Sequence, residues 1–253
     1  MKRTYDDLWK EAWQEATERG PSCRTRFRIM LRMFRKYGLK GSVLDVGCGD
    51  GNFLSILAGI GQKKEKKGKK DRDGFRLYGF DISNKAIELA KGKEFISDLF
   101  VGDLLDRKTL PKRRFDVVVC SEVLEHVDDY RKALDNIAGL VKKGGKTLIT
   151  VPHSMRYWTE HDKYAMHFRR YEKKEFENDV KRAGFRIKEG FAWGCFMYDI
   201  YYFFLGRSKP EKVMGKPGMI KKILSYLLYY IFMLDDLFIG NNGRRLFILA
   251  EKI

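Results

Sequence analysis

Five short apolar runs alternate with runs of helical period between Ser42 and Pro152, and this alternation constrains the fold more than any other feature of the chain. "SVLDV" (Ser42 to Val46), "FRLYGFD" (Phe75 to Asp81), "ISDLFVGD" (Ile96 to Asp103), "FDVVVCSE" (Phe115 to Glu122) and "KTLITVP" (Lys146 to Pro152) read as strands. "NFLSILAGI" (Asn52 to Ile60), "SNKAIELAKG" and "DYRKALDNIAGLVKKGG" read as the helices between them. Ser83 is the expected N-cap and Gly92 the stop of the second, and Gly144 and Gly145 close the third. The run from Phe115 is continuously apolar, as a strand buried on both faces requires. Strands that alternate with helices imply a mostly parallel sheet with helices on both faces, an α/β architecture. Farther on, "EKKEFENDVKRAGF" reads as a helix ending at Gly184, and "FRIKEGFAW" and "RRLFILAEK" as two last strands, for seven in all.

Two segments stand outside that alternation. Residues 1–40 read as N-terminal helices that pack on or cap the ligand site of the domain that follows: one from Tyr5 to Arg19, and one after Pro21 with Phe27, Met30, Leu31 and Phe34 at helical spacing. Residues 41–253 then form the main domain, with 193–243 as an apolar, mostly helical insertion between the last two strands. The longest uncharged run of that insertion, Ile223 to Leu234, is about twelve residues, whereas a membrane span needs about twenty. A buried helix, a lid over an apolar ligand and an interfacial helix are the readings left open.

The formal net charge is +17, with a pI near 9.6. A polyanionic partner would explain this excess, and so would a lysine-rich solvated surface. Part of it is local: "KKEKKGKKDRD" (Lys63 to Asp73) reads as an exposed loop, and Arg24 to Lys36 is a second basic stretch. The cysteines Cys23, Cys48, Cys120 and Cys195 show no CxxC spacing, which argues against a disulfide framework or a zinc ribbon and fits a reducing cytoplasm. The N-terminus is charged throughout and lacks the apolar core of a signal peptide.

The chemistry concentrates in "VLDVGCGDG" (Val43 to Gly51). A turn at the C-terminal end of a parallel strand is where α/β folds bind ligands, and glycines there let the backbone come close. Here the pattern is GxGxG, with Asp45 before it and Asp50 within it. An acidic turn would repel a pyrophosphate and suits a cation. S-adenosylmethionine carries a sulfonium and an ammonium group, which favours it over a dinucleotide. Asp81 ends the second strand, where an acid can accept two hydrogen bonds from ribose hydroxyls. Asp103 follows the third, where an acid can accept from the exocyclic amine of adenine. "CSEVLEHV" follows the fourth strand and borders the same site.

"VLDVGCGDG", "GFDIS", "VGDLLD", "FDVVVCSEVLEHV" and "LVKKGGKTLITVP" stand in the order and spacing of class I S-adenosylmethionine-dependent methyltransferases, and over Val43 to Phe185 the chain resembles that family. The likeness is to its small-molecule branch, which includes quinone-biosynthesis methyltransferases. It implies a Rossmann-like seven-stranded sheet and S-adenosyl-L-methionine as cofactor. By the same resemblance, Asp45, Gly47 and Gly49, with Cys48 between the glycines, line the methionine part. Asp81 holds the ribose, Ile82 packs on adenine, Asp103 and Leu104 complete the adenine pocket, and Ser121 and Glu122 border the methyl-donating end.

The acceptor has to be read from the rest of the chain. The sulfonium already supplies the electrophile, so the protein mainly positions reactants, and some acceptors also need a general base. The four histidines, His126, His153, His161 and His167, all follow the fourth strand. His153, directly after the fifth strand, is the first candidate base and His126 the second. "EVLEH" also places Glu122, Glu125 and His126 at helical spacing, an alternative divalent-metal set used by some relatives, although no metal is required by the pattern. A [D/N]PP[Y/F/W] run after the fourth strand is absent, which disfavours exocyclic amines of bases and glutamine amides as acceptors. The expected acceptor is a small molecule, apolar or lipid-linked. Tyr201, Tyr202, Phe203, Phe204, Tyr229, Tyr230 and Phe232 would form an apolar wall, and Lys221 and Lys222 would touch anionic headgroups. Peripheral membrane contact through 193–243 goes with that reading. RNA is the alternative acceptor on the strength of charge, and a non-catalytic cofactor-binding protein is the other alternative.

Overall fold

The computed structural model describes residues 20–62, 74–205 and 219–253. The expected helix from Tyr5 to Arg19 and the basic stretch from Lys63 to Asp73 lie outside the described residues. A seven-stranded sheet runs in the order β3-β2-β1-β4-β5-β7-β6. Its strands are β1 (Ser42–Val46), β2 (Arg76–Asp81), β3 (Ile96–Val101), β4 (Phe115–Ser121), β5 (Val141–Pro152), β6 (Phe185–Trp193) and β7 (Arg245–Lys252). Pairing is parallel from β3 through β5, while β7 runs antiparallel between β5 and β6. The expected seven-stranded, mostly parallel, Rossmann-like sheet is therefore present. Its strand order changes direction at β1 and β4, where such folds open a ligand site at the carboxyl ends.

The helices divide between the two faces because successive strand residues point opposite ways. Val43, Val117, Val119, Leu148, Phe247 and Leu249 point to one face. There they pack under α1 (Pro21–Lys36), α2 (Asn52–Gln62), α7 (Met197–Leu205) and α8 (Met219–Phe232). Leu44, Val118, Cys120, Ile149 and Ile248 point to the other, under α4 (Tyr130–Leu140) and α6 (Lys173–Arg182). Between β2 and β3 runs α3 (Asn84–Lys91), capped by the Ser83 side chain, which accepts from Ala86 N, and ended at Gly92 as expected. A short α5 (Glu160–Tyr164) lies between β5 and α6.

One expected boundary moves. The helix expected to run to Gly145 stops at Leu140, and Val141 is already extended, paired with Phe115. The pairing resumes at Val117 with Lys146, so 142–145 loop out of the ladder. Gly144 makes that excursion at φ +73°, a conformation costly for other residues. The glycines thus close a bulge in the strand rather than the helix.

The insertion between β6 and β7 consists, in the described residues, of α7, α8 and a 3-10 turn, Met233–Phe238. Its three described acids point inward. Asp235 accepts from the amides of Phe196, Met197 and Tyr198 at the start of α7. Asp236 takes a two-armed contact from Arg28 (2.6 and 2.8 Å), a third from Arg32 and one from the Trp193 indole. Asp199 pairs with Arg244. Helix α1 is thereby fastened to the insertion, and much of the basic stretch from Arg24 to Lys36 is engaged within the protein. Arg24 lies over the Tyr226 ring, and Lys36 pairs with Glu189. That weakens the charge argument for RNA. Part of the expected apolar wall turns out to be core: Phe232 is fully buried against the rings of Tyr198 and Tyr201. Tyr230 is exposed, and the side chains of Phe204, Lys221 and Lys222 lie outside the described residues.

Candidate active site

The turn after β1 is held by backbone bonds: Gly47 N and Cys48 N both donate to Phe80 O, at 2.7 and 3.1 Å. Gly47, Gly49 and Gly51 have φ of +73°, +55° and +78°. A Cβ on Gly47 would lie 2.3 Å from Val123 Cγ2, so position 47 admits only glycine on two counts. Cys48 turns its thiol into the core beside Gly79, and burial pushes that thiol's pKa up. It is a packing residue.

Three acids, Asp45, Asp50 and Asp81, surround the turn, and Asp103 follows β3. Asp50 is buried and accepts from Asn52 N at the start of α2. Asp81 accepts from Gly49 N through one oxygen and from Ser83 N through the other, both at 2.9 Å, and so ties the ends of β1 and β2 together. Asp45 differs. It is 4% exposed, burial pushes its carboxyl up to about 8, and the Arg26 charge only partly opposes that while the Asp81 charge adds to it. A buried carboxylate short of a counter-charge makes a site for a cation. Asp103 is exposed, with its carboxylate accepting from Leu105 N. Ile82 presents a half-exposed apolar side chain beside the turn. Leu104 departs from expectation: its side chain is buried in the core, and its carbonyl accepts from Asn136. Only its backbone is left to face a ligand.

At the end of β4, Glu122 has a φ of +57°, a strained value for a non-glycine residue and one that recurs at functional sites. It accepts from Thr150 Oγ1 at 3.1 Å, pairs with Arg245 at 2.9 Å and faces Arg26 at 3.7 Å. The two guanidiniums hold its carboxyl down to about 2 against the opposing effect of burial. Ser121 shares a hydrogen bond with Thr150 (2.8 Å). The Nε of Arg26 is buried with no hydrogen-bond partner.

The histidines fall into three places. His126 and His167 meet edge to face, with ring centroids 4.7 Å apart, and burial with the neighbouring His167 lowers His126 to about 4. Glu125 is fully buried, neither of its carboxylate oxygens has a hydrogen-bond partner, and burial beside Glu122 pushes its pKa well up. One ligand atom each from Glu125, His126 and His167 lie within 4.8 Å of one another. His167 Nδ1 bonds Asp162 at 2.8 Å, which leaves Nε2 as its ligating nitrogen. Asp162 itself is fixed by Arg170 and by the Thr159 cap of α5. His153 lies apart from this group, buried, with Nδ1 2.6 Å from Gly243 O, and burial lowers its pKa. His161 stacks on Tyr202, with 6.3 Å between ring centroids.

A methyltransferase-domain family model matches residues 16–189. The chain belongs to the methyltransferase-domain family. Among curated proteins it is similar to the ubiquinone biosynthesis O-methyltransferase of Coxiella burnetii. The two are 32% identical over 146 residues, 56% of this chain and 57% of that one. The Thiobacillus denitrificans protein of the same name is 35% identical over 109 residues, 41% of this chain and 40% of its own. The chain thus spans about half the length of the curated relatives it matches. In fold it is similar to the N-methyltransferase NodS of Bradyrhizobium japonicum in complex with S-adenosylhomocysteine, with a TM-score of 0.58 and 16% identity over 97% of this chain and 94% of that one. Phosphoethanolamine N-methyltransferase 2 of Haemonchus contortus gives 0.62 and 19%, over 99% of this chain and 60% of that one.

Within this family's fold, the expected residues at the ends of β1, β2 and β4 come together, His126 joins Glu125 and His167, and His153 does not join them. Sequence reading missed Arg26, Arg245 and Thr150 around Glu122. Arg245 did carry a signal, since it opens an otherwise apolar strand, but only the register of β5 with β7 brings it to Glu122. Arg26 carried none, because it lies next to Phe27 on a helix read for its apolar face.

Proposed function

We propose that the protein is an S-adenosylmethionine-dependent methyltransferase whose acceptor is a hydroxyl on a small, apolar, lipid-linked molecule. The observation that carries this reading is Asp45: a buried carboxylate short of a counter-charge, beside a glycine turn and Asp81, which suits a cationic adenosyl ligand. The bound cofactor supplies a methyl group on a positive sulfur, already activated for displacement. Asp45 faces the cationic methionine end, and Gly47 and Gly49 let the backbone approach it. The unpartnered Nε of Arg26 takes the cofactor's carboxylate. Asp81 accepts from the ribose, Ile82 covers one face of adenine, and Asp103 with the Leu104 backbone closes that pocket. Ser121 and Glu122 border the methyl-donating end, with Arg245 and Thr150 holding the Glu122 carboxylate still. Fixing both reactants in line is the larger part of the rate such an enzyme supplies. The O-methyltransferase names of the curated relatives support oxygen as the methylated atom.

Two groups compete to take the acceptor's proton. His126 stands beside Glu122 and Glu125, whereas His153, buried at Gly243, is set apart from them, so the order of the two candidates reverses. Glu125, His126 and His167 also fit a divalent cation, because both Glu125 oxygens are buried without partners and Asp162 orients His167. A cation there would make an acceptor hydroxyl easier to deprotonate. Dialysis against EDTA decides between them: lost turnover restored by a divalent ion supports the metal, and unchanged turnover leaves His126 as base. The protein is read as cytoplasmic, with peripheral membrane contact through the insertion.

The whole reading is tested by thermal stability with added S-adenosylmethionine or its demethylated product, then by labelled-methyl transfer into fractionated cell extract. A rise in melting temperature and label in the lipid fraction are expected. No shift at high cofactor concentration would sink the reading, and label in RNA would replace the acceptor.

A further inference from the structure

The outer face of the insertion is apolar, and the proposed activity does not account for it. Along α8 and the 3-10 turn, Ile223, Leu227, Tyr230, Leu234 and Leu237 recur at spacings of three and four, one helical stripe. Ile223 and Tyr230 are each 63% exposed and Leu237 is 79% exposed. The opposite side of α8 already meets its needs inside the protein, where Phe232 packs on Tyr198 and Tyr201. The patch continues onto α7, because Phe196 and Phe238, both about half exposed, touch ring to ring at 5.7 Å between centroids. Contiguous exposed apolar surface of this kind marks a docking site.

We infer that this face docks on an anionic lipid bilayer, lying in the interface rather than crossing it. No helix among the described residues is long and apolar enough to span a membrane. The choice of occupant rests on charge. The three acids described within the insertion, Asp199, Asp235 and Asp236, are all held inward by Arg244, by the amides at the start of α7 and by Arg28. Among the described residues of the insertion, the stripe therefore presents no carboxylate to what covers it. The sequence leading into α8, 206–222, has six basic residues against the single acid Glu211. An apolar helical stripe that follows a basic stretch of sequence is the pattern of interfacial helices on anionic membranes. A second copy would bring a net charge of +17 against +17, so self-association is the poorer fit.

This inference deepens the proposed function and rests on it for its purpose. Helix α7 has two sides: Ile200, with Phe196 just before the helix, is exposed with the patch, while Tyr198 and Tyr202 lie inward beside Arg245 and His161. A lipid-linked acceptor would pass along α7 from the bilayer to Glu122.

The test is co-sedimentation of the full chain with phosphatidylcholine vesicles, with and without phosphatidylglycerol. Wild-type protein is expected to pellet with the anionic vesicles and much less with neutral ones. The double variant Leu227→Glu/Leu237→Glu should lose about a hundredfold in partitioning, two leucines' worth of apolar burial. Tyr230→Ser serves as a milder second variant should the double variant misfold. Equal binding by the variants, or no wild-type binding to anionic vesicles, overturns the inference. So does a dimer in sedimentation equilibrium that the double variant dissolves in the absence of lipid binding. Cofactor-induced thermal stabilisation is measured on the same preparations: its absence in wild-type protein counts against the methyltransferase reading alone, and its presence in the variants shows that only docking was lost.

Discussion

Asp45 and Gly47 show how far single residues commit the site. With its carboxyl at about 8, Asp45 is protonated in the ligand-free protein at neutral pH, and a cation must displace that proton to bind the charged form. Cofactor affinity is therefore expected to rise by up to tenfold per unit between pH 6 and 8 and to level off above that, as read by calorimetric titration. Asp45→Asn should flatten the profile and weaken binding throughout. The same shift has the opposite sign for the empty fold. A carboxyl whose pKa is raised on folding costs stability as pH climbs from its unfolded value, near 4, to about 8. Asp45→Asn should thus raise the melting temperature of the ligand-free protein at pH 8 and leave it little changed at pH 4. Gly47→Ala should destabilise by about 1–3 kcal/mol through its positive φ, with a further loss from the 2.3 Å approach to Val123. Adding Val123→Ala should recover the second loss and not the first, measured by urea unfolding.

At the scale of elements, α1 links the insertion to the site. Arg28 grips Asp236 on one side of the helix, while Arg26 reaches Glu122 and the field of Asp45 on another. Removing the grip with Arg28→Ala should cost about 1–3 kcal/mol of stability. It should also weaken cofactor binding although residue 28 touches no part of the site, and calorimetry on the variant checks both. The helix itself was legible from the spacing of Phe27, Met30 and Phe34, and most strands were legible from their apolar runs, because burial on both faces leaves a strong signal. Where α4 ends was not. Val141 continues the helical pattern as well as it starts a strand, and its pairing with Phe115 decides. Leu104 was assigned by its place in a motif, while its apolar side chain took the core. The ring of partners around Glu122 was out of reach for a different reason: Arg26, Thr150 and Arg245 are distant in sequence, and only the register of the strands and the docking of α1 bring them together.

For the molecule as a whole, the charge of +17 is less a nucleic-acid signature than it looked, since Arg24, Arg28, Arg32 and Lys36 are engaged in contacts within the protein and Arg26 faces Glu122 in the candidate site. The strand order has its own consequence. Among the described strands β6 pairs only with β7, apart from a single bridge from Ala192 to Gly240, and β7 pairs with β5 on its other side, so β6 joins the sheet through a strand made some fifty residues later. While the ribosome is still adding the insertion, Phe185, Phe191 and Trp193 belong to a strand without a neighbour. A chain stopped after Gly243 should therefore fail to unfold cooperatively and should aggregate on refolding, whereas the full chain regains its structure, as judged by light scattering and circular dichroism. The strand synthesised after the insertion works as a keystone, and until it arrives the nascent protein depends on whatever shelters an open sheet edge in the cell.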